Sequence, residues 1–227
     1  MHSDAPPPHP ERSEGDTNET TMEENLKYVP QLMVDDSELD GNAETMMDYI
    51  ISWTLRRADV ECREEKPRLY NHCRHILGTL LGIEVTDQVI FKSVKVWKQW
   101  VKIDLSVELE LEIGGKTTKH AILIENKYYS PLHDATTEDR TRKCQLAVYR
   151  ETFDSHYQKE EQEGRHWEKH YVLITCIKRS DEKFVIYNDA IKYDFTIYHL
   201  KELVKKENDK YTDTESDIFN EFWLKWI

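Results

Sequence analysis

The chain has 227 residues, is 38% hydrophobic and carries a formal net charge of −13. It has no run of about 18 apolar residues, which excludes a membrane-spanning helix, and its first twenty residues lack the apolar core of a secretion signal, so a cytoplasmic protein with no membrane partner is expected. The charge is uneven: residues 1–48 hold 13 acidic and 2 basic side chains, whereas the remaining 179 hold 31 and 29, and a near-neutral domain behind an acidic segment leaves nucleic acid open as a partner.

Four of the seven prolines fall in the first ten positions, and apolar periodicity is weak before Asn42. Residues 1–41 therefore read as an acidic, Pro-rich disordered tail. Residues 42–227 read as one domain, long enough to bury a core. Asn42 is placed to cap a helix with Met46, Met47, Ile50 and Ile51 on one stripe. Pro67 opens a second helix, whose core face carries Leu69, Tyr70, Cys73, Ile76, Leu77, Leu80 and Leu81, and Gly82 ends it as a left-handed cap. Within it, His72-Cys73-Arg74-His75 has metal-ligating residue types, but a helix spreads them over different faces, which speaks against zinc. Cys62, Cys73, Cys144 and Cys176 are widely spaced with no Cys-x-x-Cys, so free thiols are expected rather than a cluster.

A strand is predicted near Gln88–Val96. Lys92, Lys95, Lys98 and Lys102 interleave there with Trp97 and Trp100, a pattern that suits either a phosphate backbone with stacked bases or a lysine-protected sheet edge. From Val101 to Ile113 every odd position is apolar and every even one polar or charged, the period-2 signature of a strand. Gly114-Gly115 supplies the positive φ angles of a two-residue hairpin turn, and the chain returns through Ala121-Ile122-Leu123-Ile124. With that turn Ile113 faces Lys116, Glu110 faces Lys119, Asp104 faces Glu125 and Lys102 faces Lys127. The two carboxylates then share a face with Cβ atoms about 4.5–5.5 Å apart, and Lys127 lies two residues along. Like charges directly opposite destabilise a sheet. A divalent cation removes that conflict, Mg²⁺ preferring one or two carboxylates with water and phosphate. The plainer alternative is an amphipathic hairpin with solvent-facing acids, as Glu108, Glu110 and Glu112 suggest.

Beyond Pro131 a helix is predicted over Thr137–Tyr157, with Gln145 and Tyr149 on one face and Arg140, Arg142 and Lys143 before them as further phosphate contacts or solvating charges. Tyr171–Thr175 and Phe195–Tyr198 read as strands, and Leu200, Leu203 and Val204 as a helix face. Ile218, Phe219, Phe222, Trp223 and Trp226 recur at helical spacing and read as core, with a homodimer face as the alternative.

Asp104, then Glu125-Asn126-Lys127, then Gln145-Leu146-Ala147-Val148-Tyr149 resembles the PD-(D/E)XK nuclease superfamily, in particular its RecB-like branch with a Gln-x-x-x-Tyr helix motif and its small stand-alone bacterial members. The resemblance spans about Val89 to Val204. It departs from the superfamily pattern in Ile103, which stands where the name has proline, and in the first-helix acid, for which Glu44 and Asp48 both remain candidates. The resemblance implies an α/β restriction-endonuclease-like three-layer sandwich, a mixed central β-sheet flanked by helices. It also implies a Mg²⁺- or Mn²⁺-dependent phosphodiesterase of the deoxyribonuclease type that binds nucleic acid, DNA first. Asp104, Glu125 and the Asn126 carbonyl would hold the metal, Lys127 and Gln145 would act with them in catalysis, and Tyr149 would support Gln145. The alternative is a catalytically inactive module of the same fold that binds DNA or a protein partner.

Overall fold

The computed structural model describes Met33 and residues 43–136, 142–205 and 213–225. The expected cap Asn42, most of the acidic tail, Arg140 and Trp226 lie outside the described residues. Met33 is buried against the core.

Gly114 and Gly115 both take positive φ, 58° and 82°, and close a hairpin between β2 (Ile103–Ile113) and β3 (Lys116–Lys127). Ile113 pairs with Lys116, Glu110 with Lys119 and Leu105 with Ile124, the register read from the sequence. A second tight turn precedes it. Val101 and Lys102, at φ 52° and 71°, join β2 to β1 (Val89–Trp100). The expected strand start at Val101 is therefore corrected to Ile103, β1 runs on past Val96 to Trp100, and Lys102 is a turn residue rather than the partner of Lys127. Val101 is 56% exposed, since a residue at a hairpin tip has no core face. Nothing marks this turn in the sequence, because neither position is Gly, Asn or Asp. A bulge at Lys92–Lys95, with Ser93 at φ 53°, frees the Val94 N–H, which donates to Asp59 at 2.8 Å.

The five-stranded sheet has the order β1-β2-β3-β6-β7. β6 is Glu168–Thr175 and β7 is Thr196–His199. Both run parallel to β3, whereas β1 and β2 are antiparallel neighbours, so the sheet is mixed. α1 (Ala43–Arg56), α2 (Pro67–Leu81) and α5 (Asp217–Trp223) cover one face, packing Met47, Ile51, Leu77, Phe222 and Trp223 onto Leu105, Val107, Ile122 and Ile124. Pro67 stands at the first turn of α2, and Gly82 ends it at φ 70°. The closing aromatics Phe219, Phe222 and Trp223 are fully buried, while Ile218 is 52% exposed. Trp223 Nε1 donates to Thr54 Oγ1 at 2.8 Å, fixing α5 to α1.

α3 covers the opposite face, packing Leu146, Phe153 and Tyr157 over Ala121, Leu123 and Leu173. It spans Gln145–Gln162, which corrects the expected Thr137–Tyr157. The three residues before it form β5 (Arg142–Cys144), paired with β4 (Asp134–Thr136). A short helix α4 (Asn188–Ile191) follows β6, and Leu200–Leu203 after β7 is a 3₁₀ turn rather than an α-helix. All four cysteines are free thiols. Among the described residues no helix is long and apolar enough to cross a membrane.

Candidate active site

The β2–β3 ladder ends at Leu105–Ile124, and side chains take over where it stops. The Asn126 N–H has β6 on one side and no strand on the other; it donates to Asp104 Oδ2 at 2.9 Å. This bond holds the Asp104 carboxylate against the end of β3. Glu125, Asn126 and Lys127 are kept extended by pairing with Leu173, Ile174 and Thr175 of β6. Alternation then sends Glu125 and Lys127, like Leu123, to the α3 face, and Asn126, like Ile122 and Ile124, to the α1 face.

The N-terminus of α3 delivers Gln145, which is 5% exposed. Its Nε2 donates to Glu125 Oε1, its Oε1 accepts from the His133 N–H at 2.8 Å, and its own N–H donates to the His133 carbonyl at 2.9 Å. Gln145 is thus held at both ends and points at the carboxylate. Lys127 Nζ lies 2.8 Å from Glu125 Oε1 and 3.9 Å from Glu44 Oε2. Asp104, Glu125, Lys127 and Gln145 are therefore brought together on one face.

α1 supplies two more acids from the first turns of its buried stripe. Asp48 accepts from Asn126 Nδ2 at 2.8 Å and from Gln99 Nε2 at 3.3 Å; the same Gln99 amide donates to Asp104 Oδ1 at 3.2 Å. Glu44 accepts from the Tyr128 N–H at 3.1 Å and from Ser130 Oγ. Both candidates for the first-helix acid lie at the site, Asp48 facing Asn126 and Asp104, Glu44 facing Lys127. Gln99, opposite Asp104 across the β1–β2 turn, escaped the sequence reading, and only locating that turn at Val101–Lys102 would have revealed it.

The electrostatics follow from packing acids faster than cations. Burial, and then the Asp104 carboxylate, push Glu125 up to about 8. Burial, and then Asp104, raise Asp48 to about 6. Asp104 is itself raised by burial, against the opposing pull of the Asn126 N–H and the Lys127 ammonium. Burial works against the Lys127 ammonium, but Glu125 outweighs it and the group sits above its ordinary value. Half-buried Tyr149, packed against the apolar cluster under α3, is lifted to about 12, by burial first and then by Glu125 and Asp104. Glu125 Oε2 and Asn126 Oδ1 are buried with no hydrogen-bond partner. A buried carboxyl oxygen left without a partner is costly. Paired carboxylates with a bare oxygen are the donor set a hard divalent cation takes.

Other residues singled out in the sequence fall elsewhere. Lys92 pairs with Glu112 at 2.6 Å, Lys98 lies over the Tyr49 ring, and Trp100 packs edge-on against Phe153 and His156. That accounts for half of the basic-aromatic stripe as sheet-edge structure, leaving Lys95 and Trp97 exposed. Lys143 pairs with Glu151 at 3.0 Å, and Arg142 is exposed. His72 lies tilted against Phe219, Cys73 is fully buried, and Arg74 donates to the Thr86 and Val89 carbonyls. That helix segment is structural. Compared with protein-family models, with curated proteins and with solved structures, the chain matches none.

Proposed function

We propose that the chain is a metal-dependent nuclease that hydrolyses phosphodiester bonds of nucleic acid, DNA first, on a restriction-endonuclease-like three-layer sandwich. The observation that carries the proposal is the convergence on Glu125. Lys127 and Gln145 both bond its Oε1, Asp104 stands beside it, and its Oε2 is bare. An amphipathic hairpin with idle acids does not need to bury Glu125 to 2% exposure.

Asp104 and Glu125 would hold Mg²⁺ or Mn²⁺, with the Asn126 carbonyl as the expected third donor. When bound, the ion supplies charge neutralisation at the phosphate and a water made nucleophilic at neutral pH. The chain's own groups do the rest. Lys127, held above its ordinary value beside Glu125 and Glu44, offers a fixed ammonium to the charge that grows on the phosphate oxygens. Gln145, braced by the His133 backbone, orients Glu125 and the water beside it. Gln99 and the Asn126 N–H fix both oxygens of Asp104, and Asp48 fixes Asn126. Tyr149, packed on α3 against the apolar cluster, would support Gln145 from the same helix face. Clamped side chains of this kind keep a site within the narrow tolerance that in-line displacement needs.

The test is incubation of the full chain with plasmid, linear and single-stranded substrates, in Mg²⁺ or Mn²⁺ and in excess chelator. Metal-dependent cleavage that disappears in Asp104→Ala supports the proposal. Binding without cleavage under every metal condition would replace it with the inactive module.

A further inference from the structure

At the far end of β3, on the sheet face opposite Glu125, two histidines and a glutamate converge. His120 and Glu168 form the first rung of the parallel β3–β6 ladder, and His170 follows two residues along β6 on the same face. His120 Nδ1 lies 3.1 Å from His170 Nε2 and 3.7 Å from Glu168 Oε2, and the three donor atoms all lie within 4.8 Å of one another. His120 is 4% exposed, His170 is half-buried and Glu168 is open to solvent.

We propose that His120, Glu168 and His170 form a second metal site, for one zinc-class divalent transition ion. Zinc–nitrogen and zinc–oxygen bonds of about 2.0–2.1 Å place tetrahedral ligands about 3.3–3.4 Å apart. The two separations, 3.1 and 3.7 Å, bracket that value, and the exposed Glu168 side chain is free to complete the closure. Water takes the fourth position on the Glu168 side.

The surroundings orient the buried ligand. Thr118 Oγ1 lies 2.8 Å from His120 Nε2 and donates its own proton to the Leu111 carbonyl at 3.5 Å. With His120 Nε2–H donating to that hydroxyl, Nδ1 is the lone-pair nitrogen that faces His170 and Glu168 and is open to a metal. Outer-shell bonds of this kind fix the tautomer of metal-bound histidines. Two imidazoles and one carboxylate also select differently from the acid pair at the other end of the strand. Imidazole nitrogen suits zinc and its neighbours, and Mg²⁺ prefers oxygen donors. Five residues of β3 separate His120 from Glu125, about 17 Å at the usual strand rise, and the two sites face opposite ways. An ion at His120 would clamp β3 to β6 at the start of their ladder.

The experiment uses untagged full-length protein stripped with chelator and dialysed into excess Mg²⁺. Zinc is then titrated by calorimetry, the bound metal is counted by elemental analysis, and the melting temperature is followed. One tightly bound zinc per chain and a higher melting temperature are expected in the wild type and in Asp104→Ala. His170→Ala and Glu168→Gln should weaken zinc by at least about tenfold, and Thr118→Val by about 10–100-fold, as loss of an outer-shell partner does. Glu168 is exposed and His170 half-buried, so those variants keep the test sound if His120→Ala fails to fold. No bound zinc in the wild type, or full zinc in His170→Ala, would overturn the proposal, as would zinc lost from Asp104→Ala alone.

Discussion

Replacing Glu125 with Gln should change how stability depends on pH within one narrow window. Glu125 is held at about 8 against an ordinary 4.5, so the folded chain keeps a proton that the unfolded chain has released. Stability must then fall as pH rises from about 4.5 to about 8 and level off above that. Asp48 acts with the same sign, but only up to about 6. His170, pushed down to about 4 from 6.5 by burial and then by His120, acts with the opposite sign: its contribution is lost as pH falls below 6.5. Lys127 is raised above 10.5, so its contribution is complete below that value. His75, His120 and His199, each lowered from 6.5 chiefly by burial, act as His170 does, and because all four are common to wild type and Glu125→Gln, the difference between the two proteins isolates Glu125. At about 1.4 kcal/mol per pH unit, metal-free wild type should lose about 2 kcal/mol relative to Glu125→Gln between pH 6.5 and 8, about 4–8 °C of melting temperature for a domain of this size. The assay is urea denaturation in chelator at half-unit pH steps for both proteins. Parallel curves for the two proteins across that window would mean that the Lys127 ammonium keeps Glu125 ionised, and the burial argument would fail.

Asp104→Ala should abolish cleavage and weaken divalent-ion binding while leaving the fold intact, because it relieves a like-charge pair; cleavage assays, metal titration and circular dichroism check the three parts. Lys127→Ala should abolish cleavage with metal binding largely retained, and full activity in either variant would remove the mechanism. Deleting residues 1–32, which stops short of buried Met33, should leave the melting temperature nearly unchanged. It should also raise affinity for DNA at low salt, since an acidic segment competes with phosphates; unchanged binding in a salt-dependent gel-shift assay would refute this. Changing Val101-Lys102 to Asn-Gly should stabilise the protein by about 1 kcal/mol, read from chemical denaturation, because a β-branched residue at φ 52° is strained.

The β2–β3 register was legible because alternation and a Gly-Gly turn agree, and that agreement alone set Asp104 against Glu125. The β1–β2 turn was hidden: Val101 continues the apolar alternation, so the turn reads as more strand, and Gln99 was lost with it. The start of α3 was misplaced because few of its residues are buried, mainly Gln145, Leu146, Phe153 and Tyr157, too few to draw a stripe that marks the boundary. Asp48 and Glu44 lie on the same helix, and sequence alone gave no reason to choose between them; in the structure they divide the work. His120, Glu168 and His170 meet only because a parallel crossover brings β6 beside β3, and no local pattern announces such a meeting.

The site draws its parts from very different distances along the chain, which bears on the order in which it folds. Asp104 meets the Asn126 amide across 22 residues and Gln145 meets Glu125 across 20, whereas Asp48 reaches Asn126 across 78 and Glu44 reaches the Tyr128 amide across 84. Short loops close at lower entropic cost and form early, long ones late. The carboxylate pair is therefore expected to form with the hairpin and the following helix, and α1 to dock onto it last. Hydrogen exchange at two amides separates these stages: Asn126 N–H, covered by Asp104, should gain protection with the hairpin, and Tyr128 N–H, covered by Glu44, only once α1 has arrived.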